Sequence, residues 1–324
     1  MTRTDSPVSA PHADDLLLEG PWRHRMAHSR GQRFHVAECG ASSSPLVLLL
    51  HGATGGWFDW RHQMTPLADA GFHVVAASLR GWGTSDRTPD GYRQDVAADD
   101  MAGLIRSLGH GSAVVGGTGL GAVVGWTMAM RHARLVRGLA TVAGAHPLLW
   151  EPHSAKRGQP TAELWHLART VSRRRLPGRP APGAEQLADA LLAYAGDGYL
   201  DSDDGRLTRR LHVTSMATGA SEPMIAHVRW LTNAVAARRA RWLAGMAESA
   251  TVNRTVGGAP PVFMIHGGDD RLIPATLATM TLDLTGRGNC RGIMAVDGAG
   301  HFPQLEDPAT VNEALIRFAA APGR

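Results

Sequence analysis

Val114-Val115-Gly116-Gly117-Thr118-Gly119-Leu120-Gly121-Ala122 is the stretch on which the fold turns. It lies inside a run from Ala113 to Met130 that carries no charge and contains five glycines. Eighteen apolar residues approach the length of a bilayer span. The clustered glycines instead divide the run into a buried strand, a tight turn and a buried helix, Leu120 to His132. Working outward, Pro45 to Leu50 (PLVLLL) is continuously apolar, as a strand buried on both faces must be. Trp57 to Ala70 has helical spacing, and Gly71 ends it. His73 to Leu79 and Val136 to Val142 are further strands. Gln94 to Leu108 carries Val96, Met101, Leu104, Ile105 and Leu108 on one helical stripe. Trp22 to Cys39 holds two strand-like runs around Arg30-Gly31, a hairpin pattern. Strands alternating with helices predict an α/β protein with a mostly parallel central sheet and helices on both faces.

The rhythm stops near residue 146. Up to 255 the chain is rich in Arg and Ala, helical in character, and interrupted by Pro177, Pro180, Pro182 and Gly183. It resumes at Pro261 to His266, a helix near Ala275 to Leu284, a strand at Gly292 to Val296, and a last helix from Pro308 to Ala320 with Asp307 as its N-cap. The expected organisation is a leader over 1–20, expected to be disordered, a core of 21–145 and 256–324, and an inserted helical cap of 146–255.

Composition narrows the function. Of 324 residues, 44% are apolar, enough for a large core, and the net charge is only +4. Lys156 is the only lysine. The arginine usage lacks the clustering with aromatics that nucleic-acid binding needs, and Arg173, Arg174 and Arg175 read as a solvated loop. No nucleic-acid or membrane partner is expected. Cys39 and Cys290 make no disulfide framework and read as buried structural thiols, Asp14 and Asp15 sit where a signal peptide would be apolar, and a cytoplasmic location is expected. The sixteen histidines show no metal-ligand spacing, so neither metal nor cofactor is expected. Nothing indicates an oligomeric state.

The chemistry-bearing residues follow strand ends. His51-Gly52-Ala53-Thr54-Gly55-Gly56 comes directly after the PLVLLL strand, where a Gly-rich turn leaves amides free to hold a developing oxyanion. His266-Gly267-Gly268-Asp269-Asp270-Arg271-Leu272-Ile273-Pro274 offers an acid after a strand, and Asp297-Gly298-Ala299-Gly300-His301-Phe302-Pro303 a histidine after the next. Together with Phe58-Asp59-Trp60-Arg61-His62-Gln63 and Leu79-Arg80-Gly81-Trp82-Gly83-Thr84-Ser85-Asp86, these stretches resemble α/β-hydrolases, and among them epoxide hydrolases and haloalkane dehalogenases. The resemblance covers about residues 22–145 and 260–320. It implies an α/β-hydrolase fold, with Asp270 rather than Asp269 as the acid and His301 as the base. It also implies Ala53 and Leu120 as oxyanion amides.

The resemblance places the nucleophile at the centre of Gly117-Thr118-Gly119-Leu120-Gly121, and there the chain has Gly119. In the family, two cap tyrosines hold the epoxide oxygen. Tyr194 and Tyr199 are the tyrosines of the cap, and Met224 to Trp230 resembles the stretch that carries the second of them but has His227 and Val228. Trp57, Thr118, Tyr194, Tyr199 and His227 are the candidate binding residues. Three readings stay open. In one, His301 and Asp270 activate water for hydrolytic or lyase-type chemistry on a small apolar substrate. In another, Thr118 is a displaced nucleophile. In the third, the chain is an inactive relative that binds a small apolar ligand between core and cap.

Overall fold

The computed structural model describes residues 10–150, 162–171, 182–232, 237–256, 259–285 and 289–321. Its centre is β3, Leu46–Leu50, in which every residue is buried. Side chains alternate across a strand. Leu46, Leu48 and Leu50 therefore join one apolar layer and Val47 and Leu49 the other. The first layer is filled by α2 (Gln94–Ser107) and α3 (Leu120–Arg131), the second by α1 (Arg61–Asp69) and the last helix, α9 (Pro308–Ala320). Asp307 caps α9, its carboxylate accepting from Thr310 N at 3.2 Å.

Eight strands of the described residues form one sheet. β1 (Arg23–Ser29), β2 (Gln32–Cys39), β4 (His73–Ala77), β5 (Ala113–Thr118), β6 (Val136–Val142), β7 (Val262–Gly267) and β8 (Cys290–Val296) join β3 in the order β1-β2-β4-β3-β5-β6-β7-β8. β1 and β2 are antiparallel, as are β2 and β4, and every other pair is parallel. The β1–β2 turn is Arg30 (φ 51°) and Gly31 (φ 76°). Two successive positive φ values match the right-handed twist of a hairpin. Cys39 and Cys290 lie on β2 and β8, far apart in the sheet, and are half-buried rather than fully buried as expected.

Between β6 and β7 come α4 (Ala162–Val171), α5 (Ala184–Leu192), α6 (Asp203–Ser215), α7 (Ser221–Thr232) and α8 (Ala237–Val256). None of the described helices is long and apolar enough to cross a membrane. α6 is tied to the core by Arg61, a buried guanidinium. It donates to Asp204 Oδ2 and Thr208 Oγ1, both at 2.7 Å, and to Phe58 O at 3.1 Å. The Arg80–Asp86 turn is held by Arg80, which makes a two-pronged ion pair to Asp100, 2.8 Å on each prong.

Other expectations change as well, and the strand expected over His73 to Leu79 ends at Ala77. The leader is not uniformly without structure: Ala13–Leu16 forms a helical turn, Leu16 is buried, and its carbonyl accepts the Trp57 indole N–H at 2.8 Å. Residues 1–9 lie outside the described residues, as do Arg173, Arg174 and Arg175. The helix expected over Trp57 to Ala70 is a 3₁₀ turn, Trp57–Trp60, running into α1. The last strand begins two residues early, at Cys290.

Candidate active site

β5 passes into α3 through Gly119, whose φ of 49° and ψ of −112° no residue with a Cβ adopts without strain. The flanking glycines are required for a different reason. A Cβ on Gly121 would come 2.3 Å from Leu50 O, and one on Gly117 would come 2.5 Å from the Gly121 carbonyl carbon. The turn thus lies directly against β3. A Cβ on Gly119, in contrast, meets nothing nearer than Gly52 Cα at 3.7 Å and His301 Nε2 at 3.9 Å. Residue 119 faces the imidazole with room between them.

His301 sits on the loop after β8. The Glu306 carboxylate accepts from Gly300 N (2.7 Å), Phe302 N (2.9 Å) and Gly196 N (2.9 Å), fixing the loop against the cap side. His301 N donates to Tyr194 O at 2.8 Å. Behind the ring, His301 Nδ1 meets Asp270 Oδ2 at 2.9 Å. The other oxygen of Asp270 accepts from Leu272 N (2.8 Å) and Ile273 N (2.9 Å). Burial alone would raise the Asp270 pKa. The adjacent His301 and these donors outweigh it and hold the carboxyl below the usual carboxylate range. An ionised Asp270 only accepts, so Nδ1 of His301 carries a hydrogen and Nε2 is the ring nitrogen turned toward Gly119.

Nε2 opens on a cavity of about 80 Å³. That exceeds the ~10–15 Å³ one water needs and suits a small ligand. Its floor is made by the turns after the strands: Ala53 and Thr54, Thr118 to Leu120, Leu272 and Ile273, His301 and Phe302. Its roof is apolar and comes from the inserted helices, with Leu167 and Val171 of α4, Leu187 and Leu191 of α5, and Met224, Val228 and Leu231 of α7. The amide of Gly52 is engaged by Asp59 Oδ2 (3.3 Å) and that of Gly119 by Val142 O (3.2 Å).

A second relay ends at the same cavity. Thr54 Oγ1 lies 2.9 Å from His212 Nδ1, and His212 Nε2 lies 3.1 Å from Asp59 Oδ1. All three residues are buried. Burial would raise the Asp59 pKa, but His212, His51 and the Gly52 amide together lower it. The ionised Asp59 assigns a hydrogen to His212 Nε2, which leaves Nδ1 as the ring nitrogen facing the Thr54 hydroxyl. His51 is fixed the other way: its Nε2 accepts from Leu79 N at 3.0 Å and its Nδ1 donates to Gly52 O at 2.7 Å. Burial keeps it uncharged by lowering its pKa, despite nearby Asp59.

The candidate binding residues divide. Thr118 lines the cavity. Trp57 does not: it packs in the opposite layer of the sheet against Trp22 and His24, ring centroids 5.3 and 4.8 Å away. Tyr199 does not: its hydroxyl binds Asp204 Oδ2 (2.9 Å) and Thr208 Oγ1 (2.8 Å) in the Arg61 network. Tyr194 contributes its carbonyl to His301, and its ring lies 6.0 Å from the Arg271 guanidinium. His227 turns from the cavity and packs on Trp82 at 5.6 Å. Position 227 lies at the edge of the face formed by Met224, Val228 and Leu231, about 40° from Leu231, and its ring leans outward onto Trp82. Reading the sequence missed Asp59 and His212 as site residues. The signal available was an acid, Asp59, placed between Phe58 and Trp60 in an otherwise apolar turn.

The two buried carboxyls of the site, Asp59 and Asp270, have folded pKa values below the value of about 4 expected in the unfolded chain. Their contribution to stability is complete above that value and is lost as pH falls through the lower, folded one. The melting temperature is therefore expected to fall steeply once the pH drops below about 4. Asp270→Asn should cost about 1–3 kcal/mol at pH 7 and flatten that drop. A pH profile of Asp270→Asn parallel to that of the parent chain would contradict this assignment.

The alpha/beta hydrolase fold family matches residues 45–308. The AB hydrolase superfamily protein YfhM of Bacillus subtilis (strain 168) is 27% identical over 297 residues, covering 91% of this chain and 96% of its own. Epoxide hydrolase A of Mycobacterium tuberculosis (strain ATCC 25618 / H37Rv) is 28% identical over 317 residues, with coverage of 91% and 96%. The crystal structure of Cfl2 from Burkholderia cenocepacia superposes with a TM-score of 0.73 at 21% identity, covering 92% of this chain and 96% of that one. The family match spans strands on both sides of the inserted helices, and the chain belongs to the α/β-hydrolase fold family, in which it is similar to epoxide hydrolases.

Proposed function

We propose that this chain is a hydrolase acting on a small, largely apolar substrate, with water rather than a side chain at residue 119 as its nucleophile. The observation that carries the reading is the open 3.9 Å approach between a Cβ position on Gly119 and His301 Nε2. A water in that gap gives a proton to His301 as its oxygen attacks, and Asp270 orients the ring and stabilises the imidazolium. The amides of Ala53 and Leu120, the next residues after the engaged Gly52 and Gly119, would receive the oxyanion, and both residues line the cavity. Leu120 N–H belongs to the first turn of α3, where no intrahelical acceptor exists. Neither relay ends on Thr118, which leaves the displaced-nucleophile reading without support.

The substrate class follows from the roof. Opening an epoxide calls for a proton donor at the ring oxygen, and the α7 face offers Met224, Val228 and Leu231. A carbonyl substrate needs only the amides, so esters fit this cavity better than the epoxides named for its relatives. Lyase-type chemistry at His301 is the variant of the same reading. Purified protein assayed against p-nitrophenyl esters, epoxides and haloalkanes is expected to turn over the esters slowly, and His301→Ala to abolish that turnover. Equal ester hydrolysis by His301→Ala would refute the mechanism. The apolar roof also favours a second reading, an inactive relative that binds a small apolar ligand. Saturable binding of an apolar fluorescent dye, with no turnover of any of the three classes, is the result that would establish it.

A further inference from the structure

We propose that Thr54 is a nucleophile of this cavity, activated by His212 and oriented by Asp59, and that it takes the acyl group of small apolar esters. The proposal shares the cavity and substrate class of the reading above, but neither its nucleophile nor its base. A nucleophilic site is recognised by geometry: a hydroxyl within hydrogen-bond reach of an imidazole whose other nitrogen is held by a carboxylate. Thr54, His212 and Asp59 meet each condition, at 2.9 Å and 3.1 Å. The order of atoms is also the one activation requires. Asp59 accepts from His212 Nε2, so in the neutral ring Nδ1 is the nitrogen left to take the Thr54 proton across 2.9 Å.

The surroundings serve the same end. Asp59 is anchored through its second oxygen by Gly52 N at 3.3 Å, beside the turn that carries Thr54. Phe58 and Phe302 pack edge-on against the His212 ring, with centroids 5.8 and 5.7 Å away, and shield it from water. Thr54 lines the same cavity as His301 and Gly119. Acyl transfer balances without any further group. The Thr54 oxygen bonds to the carbonyl carbon while its proton moves to His212 Nδ1. The bond to the leaving alkoxide then breaks, and the alkoxide takes that proton. Water reverses the sequence: its oxygen bonds to the acyl carbon, its proton passes to His212, and the Thr54 oxygen leaves with it.

Phenylmethanesulfonyl fluoride tests this without needing the natural substrate. An activated hydroxyl displaces fluoride and keeps the sulfonyl group, which intact-mass and peptide analysis locate. The full chain is expected to gain one such group, on the peptide containing Thr54. Thr54→Ser should keep the modification and Thr54→Val should lack it. His212→Gln should slow it about 10²-fold or more, a larger loss than His301→Ala causes. Absence of the group from Thr54 in the parent chain and in Thr54→Ser would overturn the proposal, as would an unchanged rate in His212→Gln. A link serving only to fasten α6 to the core would lower the melting temperature of Thr54→Val and His212→Gln with no labelling of the parent chain. Parallel ester assays separate the two readings. His301-dependent hydrolysis without labelled Thr54 leaves the water mechanism standing and removes this one. Labelled Thr54 with hydrolysis indifferent to His301→Ala does the reverse.

Discussion

Gly119→Ser is expected to hydrolyse p-nitrophenyl butyrate at least ~10³-fold faster than the parent chain, since losing the nucleophile of a complete triad costs on the order of 10⁴–10⁶ and a graft recovers part of it. The Cβ position lies 3.9 Å from His301 Nε2, and an Oγ one bond further out comes within hydrogen-bond reach. His301 already has its tautomer set by Asp270 at 2.9 Å. The backbone resists the change: φ 49° and ψ −112° carry a strain of about 1–3 kcal/mol for a residue with a Cβ. The serine variant should therefore melt lower than the parent while gaining activity, the exchange of stability for function expected at such a turn. Gly119→Asp should bear the same strain yet open no epoxides, because the α7 face supplies no donor for the ring oxygen. An inert serine variant that folds normally would show that residue 119 is not presented to the imidazole.

The second large effect is the loss of His301. Replacing it by Ala removes the only imidazole that faces Gly119 among the described residues. A positioned general base contributes ~10²–10⁴, so kcat for ester hydrolysis should fall by that factor while KM changes little. The loss should be at least as large in the Gly119→Ser background, where the same nitrogen must take the serine proton. Asp270→Asn should act in the same direction and more weakly, by disturbing the tautomer and not the base itself. A His301→Ala protein with unchanged kcat at pH 7 would remove the general base from the mechanism.

Much of this architecture is legible in the chain because it is written locally. Continuous apolar runs such as Leu46–Leu50 and Ala113–Val115 mark strands buried on both faces, and Asp307-Pro308 marks a helix start. The Gly119 turn and the loops of Asp270 and His301 follow strand ends, so order along the chain suffices to bring them together. What local pattern cannot carry is pairing across the insertion. His212 lies 158 residues from Thr54 and 153 from Asp59, and no periodicity links them. The inserted helices also mislead by chemistry. Tyr194 and Tyr199 attract attention as polar aromatics, yet packing sends one to the Arg271 side and the other into the Arg61 network. In α7 the decisive information is rotational, and Val228 faces inward where His227 does not. Leu16 belongs to the same class, a short apolar signal whose partner, Trp57, lies far along the chain.

The row Met224, Val228 and Leu231 has one more consequence. A wall without hydrogen-bonding groups judges a molecule by size alone, and one methylene is worth only about 1–3 kcal/mol in such a wall. Preference among straight-chain esters should thus rise and fall smoothly with acyl length, without a sharp threshold. Widening or narrowing that row, as in Val228→Ala or Val228→Phe, should slide the preferred length up or down, giving this chain breadth in what it accepts in place of strict selectivity.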